Sequence, residues 1–181
     1  MNTIDFNKYA RDIHAHNVKV GWWNPPQDCI YQKLQLVSTE IAEATEGDRK
    51  DSMDDKLPHR KMEEVELADA LIRVLDIGGR LDISYEKGGW LTNSLVVASN
   101  STGMQHLGLN FDLVDLASGL LSDVPYITLQ GCYSRLVDSI VTVAENKGYD
   151  IEDAMNEKRH FNSTRPDHKL ENRNKPHGKT Y

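Results

Sequence analysis

The chain has 181 residues, which is the size of one compact domain of ordinary length. Its formal net charge of −7 argues against a surface that coats nucleic acid, and its two cysteines, Cys29 and Cys132, argue against a disulfide framework or a structural zinc site. The first residues lack a basic segment followed by an apolar run, and no stretch reaches the roughly 18 apolar residues of a membrane span. We therefore expect a cytoplasmic protein with no membrane or nucleic-acid partner.

Apolar residues at helical spacing predict two helices at the start of the chain. The first passes through Phe6 and Ile13, and an aromatic, proline-rich turn follows at residues 21–26. We expect the second helix to begin after Asn24, because an asparagine before a proline is a good helix cap. Gly47 is the predicted end of that helix.

A charged loop at residues 48–59 separates the second helix from a third. The third helix is predicted to start near Lys61 and to end at Gly78-Gly79. Residues 84–108 follow without a clean period, and the short run at 94–98 could be read as a strand.

The second half of the chain predicts three further helices. Asn110 can cap a helix that stops before Pro125, a second helix ends at Gly148, and Asp150 caps a last helix. Since no other segment alternates as a strand does, we predict an all-α fold, a bundle of about five to seven helices.

The composition changes near the end of the chain. Residues 1–162 fit a single all-α domain, whereas residues 163–181 are rich in basic residues, asparagine and proline. We expect this C-terminal tail to be flexible unless a ligand or partner orders it. It either serves solubility or folds over a bound anion.

Four carboxylates stand out in the second and third helices. They form two pairs at i, i+3 spacing, Glu40 with Glu43 and Glu66 with Asp69. Residues three apart lie on one face of a helix, so the four converge if the two helices pack antiparallel. Such a group repels itself unless cations neutralise it. Oxygen ligands suit hard divalent cations, so we predict a Mg²⁺ site that Mn²⁺ can also occupy.

Other interpretations compete with a Mg²⁺ site. Acidic i, i+3 pairs are common on solvated helix surfaces, and Asp69 could form an i, i+4 ion pair with Arg73. A carboxylate-bridged di-iron bundle requires two Glu-x-x-His motifs. The chain has one, at Glu157 and His160, so di-iron chemistry is disfavoured.

The segments that carry the acidic pairs, residues 34–44 and 63–76, closely resemble the MazG-like all-α nucleoside triphosphate pyrophosphohydrolases. The mark of that family is an ExxE motif on one helix and an ExxD motif on the next. The resemblance extends upstream to Asn17 and residues 21–23. It resumes at residues 150–165, which are similar to the family's closing Lys-x-x-x-Asn-x-x-Arg segment.

The resemblance implies Mg²⁺-dependent hydrolysis of a (deoxy)nucleoside triphosphate between the α and β phosphates, which yields a nucleoside monophosphate and pyrophosphate. The implied Mg²⁺ ligands are Glu40, Glu43, Glu66 and Asp69. The implied catalytic residues are Glu40 and Glu43, one of which would also orient or deprotonate the attacking water. The implied phosphate contacts are Lys158, Asn162 and Arg165. The family's habit implies a homodimer or a homotetramer.

This chain departs from compact members of the family by an insertion of about residues 83–147 after the ExxD helix. The insertion could occupy the place of a partner subunit's helices, form a lid, or build a new interface.

Trp22 and Trp23 are adjacent in an otherwise aromatic-poor chain. They could anchor a core or an oligomer interface, or one of them could stack on a nucleobase. Asn17 and Asn24 would add amide groups able to recognise a base edge. A non-catalytic helical module that binds metal and nucleotide remains the alternative function, and a purely structural bundle is a third possibility.

Overall fold

The computed structural model describes residues 4–25, 28–88 and 90–165, and within these ranges it contains seven α-helices and no strand. The all-α prediction and the predicted number of helices are confirmed. The helices are α1 Phe6–Lys19, α2 Ile30–Lys50, α3 Met62–Leu81, α4 Ser94–Ala98, α5 Thr102–Leu121, α6 Tyr126–Lys147 and α7 Ile151–Thr164.

Helices α2 and α3 form an antiparallel pair at the centre of the fold. Near the connecting loop Gly47 approaches Glu63, and farther along the pair Glu40 contacts Arg73. The apolar residues of both helices face each other in the core, where Val37, Ile41, Val65, Leu67, Leu71, Val74 and Leu75 are fully buried. This burial accounts for the amphipathic pattern of α2 and for the nearly all-round burial of α3.

Helix α2 differs from its prediction at both ends. It begins at Ile30 because residues 21–24 form a tight turn, in which the Trp22 amide donates to the Asn17 carbonyl and the Asn24 amide to the Gly21 carbonyl. It continues through Gly47 to Lys50. A Cβ atom at Gly47 would lie 2.7 Å from the backbone nitrogen of Glu63, so this glycine permits helix contact and does not end the helix.

The predicted end of α3 at Gly78-Gly79 is also wrong, since the helix runs on to Leu81. A Cβ at Gly78 would lie 2.3 Å from the Tyr133 hydroxyl, and one at Gly79 would lie 2.6 Å from the Ala10 carbonyl oxygen. Both glycines therefore allow neighbouring helices to approach α3. Asp82, in the left-handed conformation at φ 53°, ends the helix.

The second half of the chain mixes correct and incorrect boundaries. Helix α5 begins at Thr102, so Asn110 lies inside it and does not cap it. Pro125 is the N-cap residue of α6, and the run at 94–98 is the short helix α4. Two predicted helix boundaries are confirmed. Gly148 ends α6 at φ 75°, and Asp150 caps the start of α7, where its side chain accepts from the Asp153 amide.

Helix α3 lies at the centre of the fold. It packs against α1, α2, α6 and α7, while α5 packs against α2 and α6. Of the predicted tail, residues 163 and 164 end α7 and Arg165 caps it. Residues 166–181 lie outside the described residues. Within the described ranges no helix combines the length and apolar character needed to cross a membrane.

Candidate metal centre

Carboxylates from α2 and α3 converge as the i, i+3 spacing predicts. One carboxylate oxygen each from Glu40, Glu43 and Glu66 lie within 4.8 Å of one another. Asp69 is one turn beyond Glu66 on α3 and lines the same cavity, outside that group of three. The antiparallel packing of the two helices therefore produces a compact three-carboxylate cluster with a fourth carboxylate beside it.

Burial makes the ionised form of these carboxylates less favourable. Glu40 is 6% exposed and Glu66 is 3% exposed. Burial raises the pKa of Glu66 to about 8, which the charge of Lys158 opposes and the neighbouring carboxylates reinforce. Burial likewise raises the pKa of Glu40, against the lowering effect of Arg73 and together with the charges of Asp69 and Glu43. The cluster carries more negative charge than its protein surroundings neutralise.

Two cationic side chains of the chain partly balance the carboxylates. Both Nε and Nη2 of Arg73 lie 2.6 Å from Glu40 Oε1, so Arg73 bridges α3 to α2 and does not form the i, i+4 pair with Asp69. Lys158, from α7, places Nζ 3.0 Å from Asp69 Oδ2 and 3.9 Å from Glu66 Oε1. Lys158 is 2% exposed, and it keeps a raised pKa because the charges of Asp69 and Glu66 outweigh the lowering effect of burial.

The cluster fits a hard divalent cation. All of its donors are carboxylate oxygens, three of them close enough to share one ion, and the raised pKa of Glu66 marks a place where added positive charge is favourable. Glu43 is exposed, and its carboxylate has no hydrogen-bond or ion-pair partner among the described residues. Glu40, Glu43 and Glu66 could hold Mg²⁺ or Mn²⁺, with Asp69 beside them.

The cluster opens into a cavity of about 1210 Å³ bounded by α1, α2, α3, α7 and the turn after α1. This volume is ample for a nucleotide-sized ligand. The predicted site residues that line it are Asn17, Trp22, Glu40, Glu43, Glu66, Asp69, Lys158, Asn162 and Arg165. No described residue of the 83–147 segment lines it, so a lid from α4, α5 or α6 does not cover this cavity.

The two adjacent tryptophans have different surroundings. Trp22 lines the cavity. Trp23 is 7% exposed, is absent from the cavity wall, and donates its indole N–H to Asp76 at 2.9 Å. The side chain of Asn17, also in the cavity wall, donates to the same carboxylate at 2.8 Å. Of the two tryptophans, only Trp22 can therefore contact a ligand in this cavity.

Asp76 is a site residue that the sequence reasoning missed. Its buried carboxylate accepts from Trp23 and Asn17 and lies 2.9 Å from His14 Nδ1, so it connects α1, the turn and α3. Helical periodicity carries the relevant signal. Asp76 is seven residues after Asp69 and three after Arg73, which places all three on one face of α3.

The sequence did not identify several cationic side chains that line the cavity. They are Lys33, Lys56, Arg73 and Arg159. The Lys33 ammonium lies 5.6 Å from the centroid of the Trp22 ring system. Lysine and arginine are common on helix surfaces, so their positions in the sequence contain no signal that separates these residues from solvated ones.

Asn162 and Lys158 reach the acidic cluster despite the insertion. Asn162 Nδ2 lies 3.4 Å from Asp69 Oδ1. Helix α7 brings both residues there because it packs directly along α3. Comparison of the chain with protein-family models, with curated proteins and with solved structures gives no match in any of the three.

Proposed function

We propose that this protein hydrolyses a (deoxy)nucleoside triphosphate between its α and β phosphates, in a Mg²⁺-dependent reaction that releases a nucleoside monophosphate and pyrophosphate, as the resemblance to MazG-like pyrophosphohydrolases implies. One observation carries the proposal. A single cavity contains a carboxylate cluster suited to a divalent cation, several cationic side chains and an accessible indole ring.

Each of these three features matches one part of the substrate. The carboxylates suit metal ions that accompany a triphosphate, the cations suit the phosphate oxygens, and the ring of Trp22 suits stacking on a base. The cations that belong to the predicted closing segment are Lys158 and Arg165. A purely structural acidic surface has no need for a cavity with all three features.

The carboxylates that would hold Mg²⁺ are Glu40, Glu43 and Glu66, with Asp69 adjacent. When bound there, Mg²⁺ would neutralise phosphate charge and lower the pKa of a coordinated water. Glu43 is the carboxylate best suited to accept a proton from the attacking water, because it has no ion pair among the described residues. Glu40 is held by Arg73 and is better suited to a fixed, orienting role.

The phosphate-binding side chains would be Lys158, Asn162 and Arg165. Arginine favours bidentate contact with phosphate oxygens, whereas the ammonium of Lys158 acts as a point charge. Lys158 also contacts Asp69. A phosphate that enters the cavity would therefore compete with Asp69 for this ammonium.

A panel of NTPs and dNTPs incubated with purified protein and Mg²⁺, followed by separation of the products, tests the proposal. We expect monophosphate and pyrophosphate from at least one triphosphate. Glu43→Ala and Asp69→Ala should each lower kcat by at least about 100-fold. Glu46→Ala is the matched control, since Glu46 lies one turn beyond Glu43 on α2 but pairs with Arg49 and Lys50.

Full activity of both site variants would refute the proposal, as would the absence of any monophosphate product. Tight nucleotide binding without turnover, in the presence of Mg²⁺ or Mn²⁺, would instead support a non-catalytic binding module.

A further inference from the structure

Helix α5 is apolar on both of its faces. One face is buried against α2 and α6, where Leu109, Leu113 and Leu116 belong to the core. The opposite face is open to solvent and carries five large apolar side chains, each between 46% and 71% exposed, at Met104, Leu107, Phe111, Val114 and Leu121. A helix that is apolar all round is normally buried all round.

The exposed residues follow a regular pattern. From Met104 to Leu121 they alternate at spacings of three and four residues, with Ser118 at the one polar position of the series. This is the heptad spacing of helices that pair along a seam. Asp115 is the only charged residue exposed on α5, and it is paired with Arg135 of α6.

We propose that this α5 face is the interface with a second copy of the chain, in which the two α5 helices pack antiparallel about a two-fold axis. With the two-fold axis between residues 112 and 113, each position of the exposed series in one copy faces another position of the same series in the second copy. Phe111 then packs against Val114 of the second copy, Leu107 against Ser118, and Met104 against Leu121. An isologous two-fold interface requires this kind of self-complementarity.

Charge favours the same arrangement. In this register Asp115 lies opposite Asn110 of the second copy, so no like charges meet. Asn110 is partly exposed at the edge of the face.

The exposed area is sufficient for a dimer. Half of a large apolar side chain is on the order of 100 Å², so the five residues supply roughly 500 Å² per copy and roughly 1,000 Å² in a two-fold interface. That total reaches the lower bound for a specific protein interface before any flanking residue is counted.

Other occupants fit the face less well. Helix α5 contains no lysine or arginine, which argues against binding to an anionic membrane surface. Residues 166–181 contain only two large apolar residues, Leu170 and Tyr181, and cannot cover five apolar positions. The proposal does not depend on the proposed enzymatic activity.

Light scattering coupled to gel filtration, together with sedimentation equilibrium at micromolar concentrations, tests the proposal. One chain has a mass of 20.5 kDa. We expect the wild-type protein in solution to be an oligomer with an even number of chains. Phe111→Lys and Val114→Glu should each raise the dimer dissociation constant by about 100-fold, because the symmetry places each change in the interface twice. Tyr31→Lys, at an exposed aromatic residue of α2, is the matched control and should leave the mass unchanged.

Mixing the Phe111→Lys and Val114→Glu variants tests the register. In a mixed dimer the introduced lysine of one chain meets the introduced glutamate of the other, and the second contact is the native one. The mixture should therefore dimerise at least about 10-fold more tightly than either variant alone. Helix content and the unfolding midpoint establish that each variant is folded, and Val114→Ser is a milder second change with the same expected direction. A monomeric wild type, charged variants that remain dimers, or a mixture of folded variants that stays monomeric would overturn the proposal.

Discussion

Lys158 is a buried cation that faces a group of buried anions. Its ammonium lies 3.0 Å from Asp69 and 3.9 Å from Glu66, and the side chain is 2% exposed. A buried charge is tolerated when it is paired, and removing one partner leaves the other uncompensated. In the protein without bound metal, Lys158 therefore serves as a counter-ion of the carboxylate cluster.

We expect Lys158→Met to lower the free energy of unfolding of the metal-free protein by about 3 kcal/mol, since it leaves the Asp69 carboxylate without its cation. Saturating Mn²⁺ should recover most of that loss, because a metal ion bound only by the folded state stabilises that state. Urea unfolding with EDTA and with Mn²⁺ measures both effects. Lys50→Met, at an exposed surface pair, should cost less than about 1 kcal/mol. A loss that Mn²⁺ leaves unchanged would contradict this interpretation.

The neighbouring tryptophans allow a paired prediction. Trp22→Ala should raise the KM for a triphosphate substrate by about 10-fold or more, since stacking on a base is worth about 1–3 kcal/mol. Its effect on stability should be small. Trp23→Phe should do the opposite, because it removes an N–H that donates to the buried carboxylate of Asp76. The loss of that donor should cost about 1–3 kcal/mol of stability.

Steady-state kinetics and urea unfolding of both tryptophan variants separate the two roles. The interpretation is wrong if Trp23→Phe raises KM while Trp22→Ala leaves KM unchanged.

At the scale of helices, glycine determines how closely α2 and α3 approach. Gly47 is buried within α2, and a Cβ there would lie 2.7 Å from the backbone nitrogen of Glu63 and 2.9 Å from Met62 Cβ. Backbone cannot move aside as the end of a flexible side chain can. The closeness of the two helices sets the separation of the carboxylates that they carry.

Gly47→Ala should destabilise the protein by about 1–3 kcal/mol, although alanine is the better helix former, because the added methyl group overpacks the contact. Gly103→Ala is the matched control in α5, where a Cβ meets nothing within 4 Å. There the same substitution should stabilise by up to about 1 kcal/mol. Chemical denaturation of both variants measures the difference, and equal effects at the two positions would refute the packing argument.

The glycines of α2 and α3 also illustrate what the sequence can and cannot predict. Apolar periodicity identified α1, α2, α3, α6 and α7, since burial of one face imposes that period on the chain. A glycine that ends a helix and one that admits a neighbouring helix look alike in sequence, so the ends at Gly47 and Gly78-Gly79 were wrong. Helix α5 was predicted too short because its outer face is apolar and its period is therefore weak.

In the candidate site, too, features set by local helix geometry were predictable and features set by contacts between distant segments were not. The i, i+3 spacing predicted that four carboxylates converge, and three of them, Glu40, Glu43 and Glu66, do so, because local helix geometry and one antiparallel contact suffice. Asp69 lies outside that group and lines the same cavity. Asp76 and Arg73 obtain their partners from other helices and from the turn after α1, and such partners have no local signature. The different surroundings of Trp22 and Trp23 likewise depend on one turn of backbone that the sequence does not specify.

At the scale of the whole molecule, a buried polar network joins the 83–147 segment to the helices of the site. His106 of α5 lies 2.9 Å from Thr45 of α2 through Nδ1 and 3.2 Å from Glu63 of α3 through Nε2. The latter contact is attractive when Nε2 carries a proton. The hydroxyl of Tyr149 donates to Glu63 at 2.8 Å, and Lys147 lies 3.3 Å from the same carboxylate. Glu63 thus connects three parts of the chain.

Burial raises the pKa of Glu63, but the contacts with His106 and Tyr149 and the charge of Lys147 outweigh burial and leave the pKa below the ordinary value of 4.5. The unfolded chain therefore binds a proton at this residue more readily than the folded chain does. The stability that ionised Glu63 contributes is fully present above pH 4.5. It is lost as the pH falls through the lowered pKa of the folded state.

We expect Glu63→Gln to cost about 1.5–3 kcal/mol of unfolding free energy at neutral pH, since it replaces the charged acceptor of the Tyr149 hydroxyl and removes a negative charge that Lys147 faces. Lys147 keeps its second partner, Asp48, at 2.7 Å. The difference from wild type should shrink as the pH falls below 4.5, because protonation removes the same charge from the wild-type residue. Urea unfolding of both proteins across this range measures the difference. Glu145→Gln, at an exposed residue near the end of α6, should cost little at any pH. A cost for Glu63→Gln that stays constant through the acid range would show that shape, and not charge, holds α5 to the core.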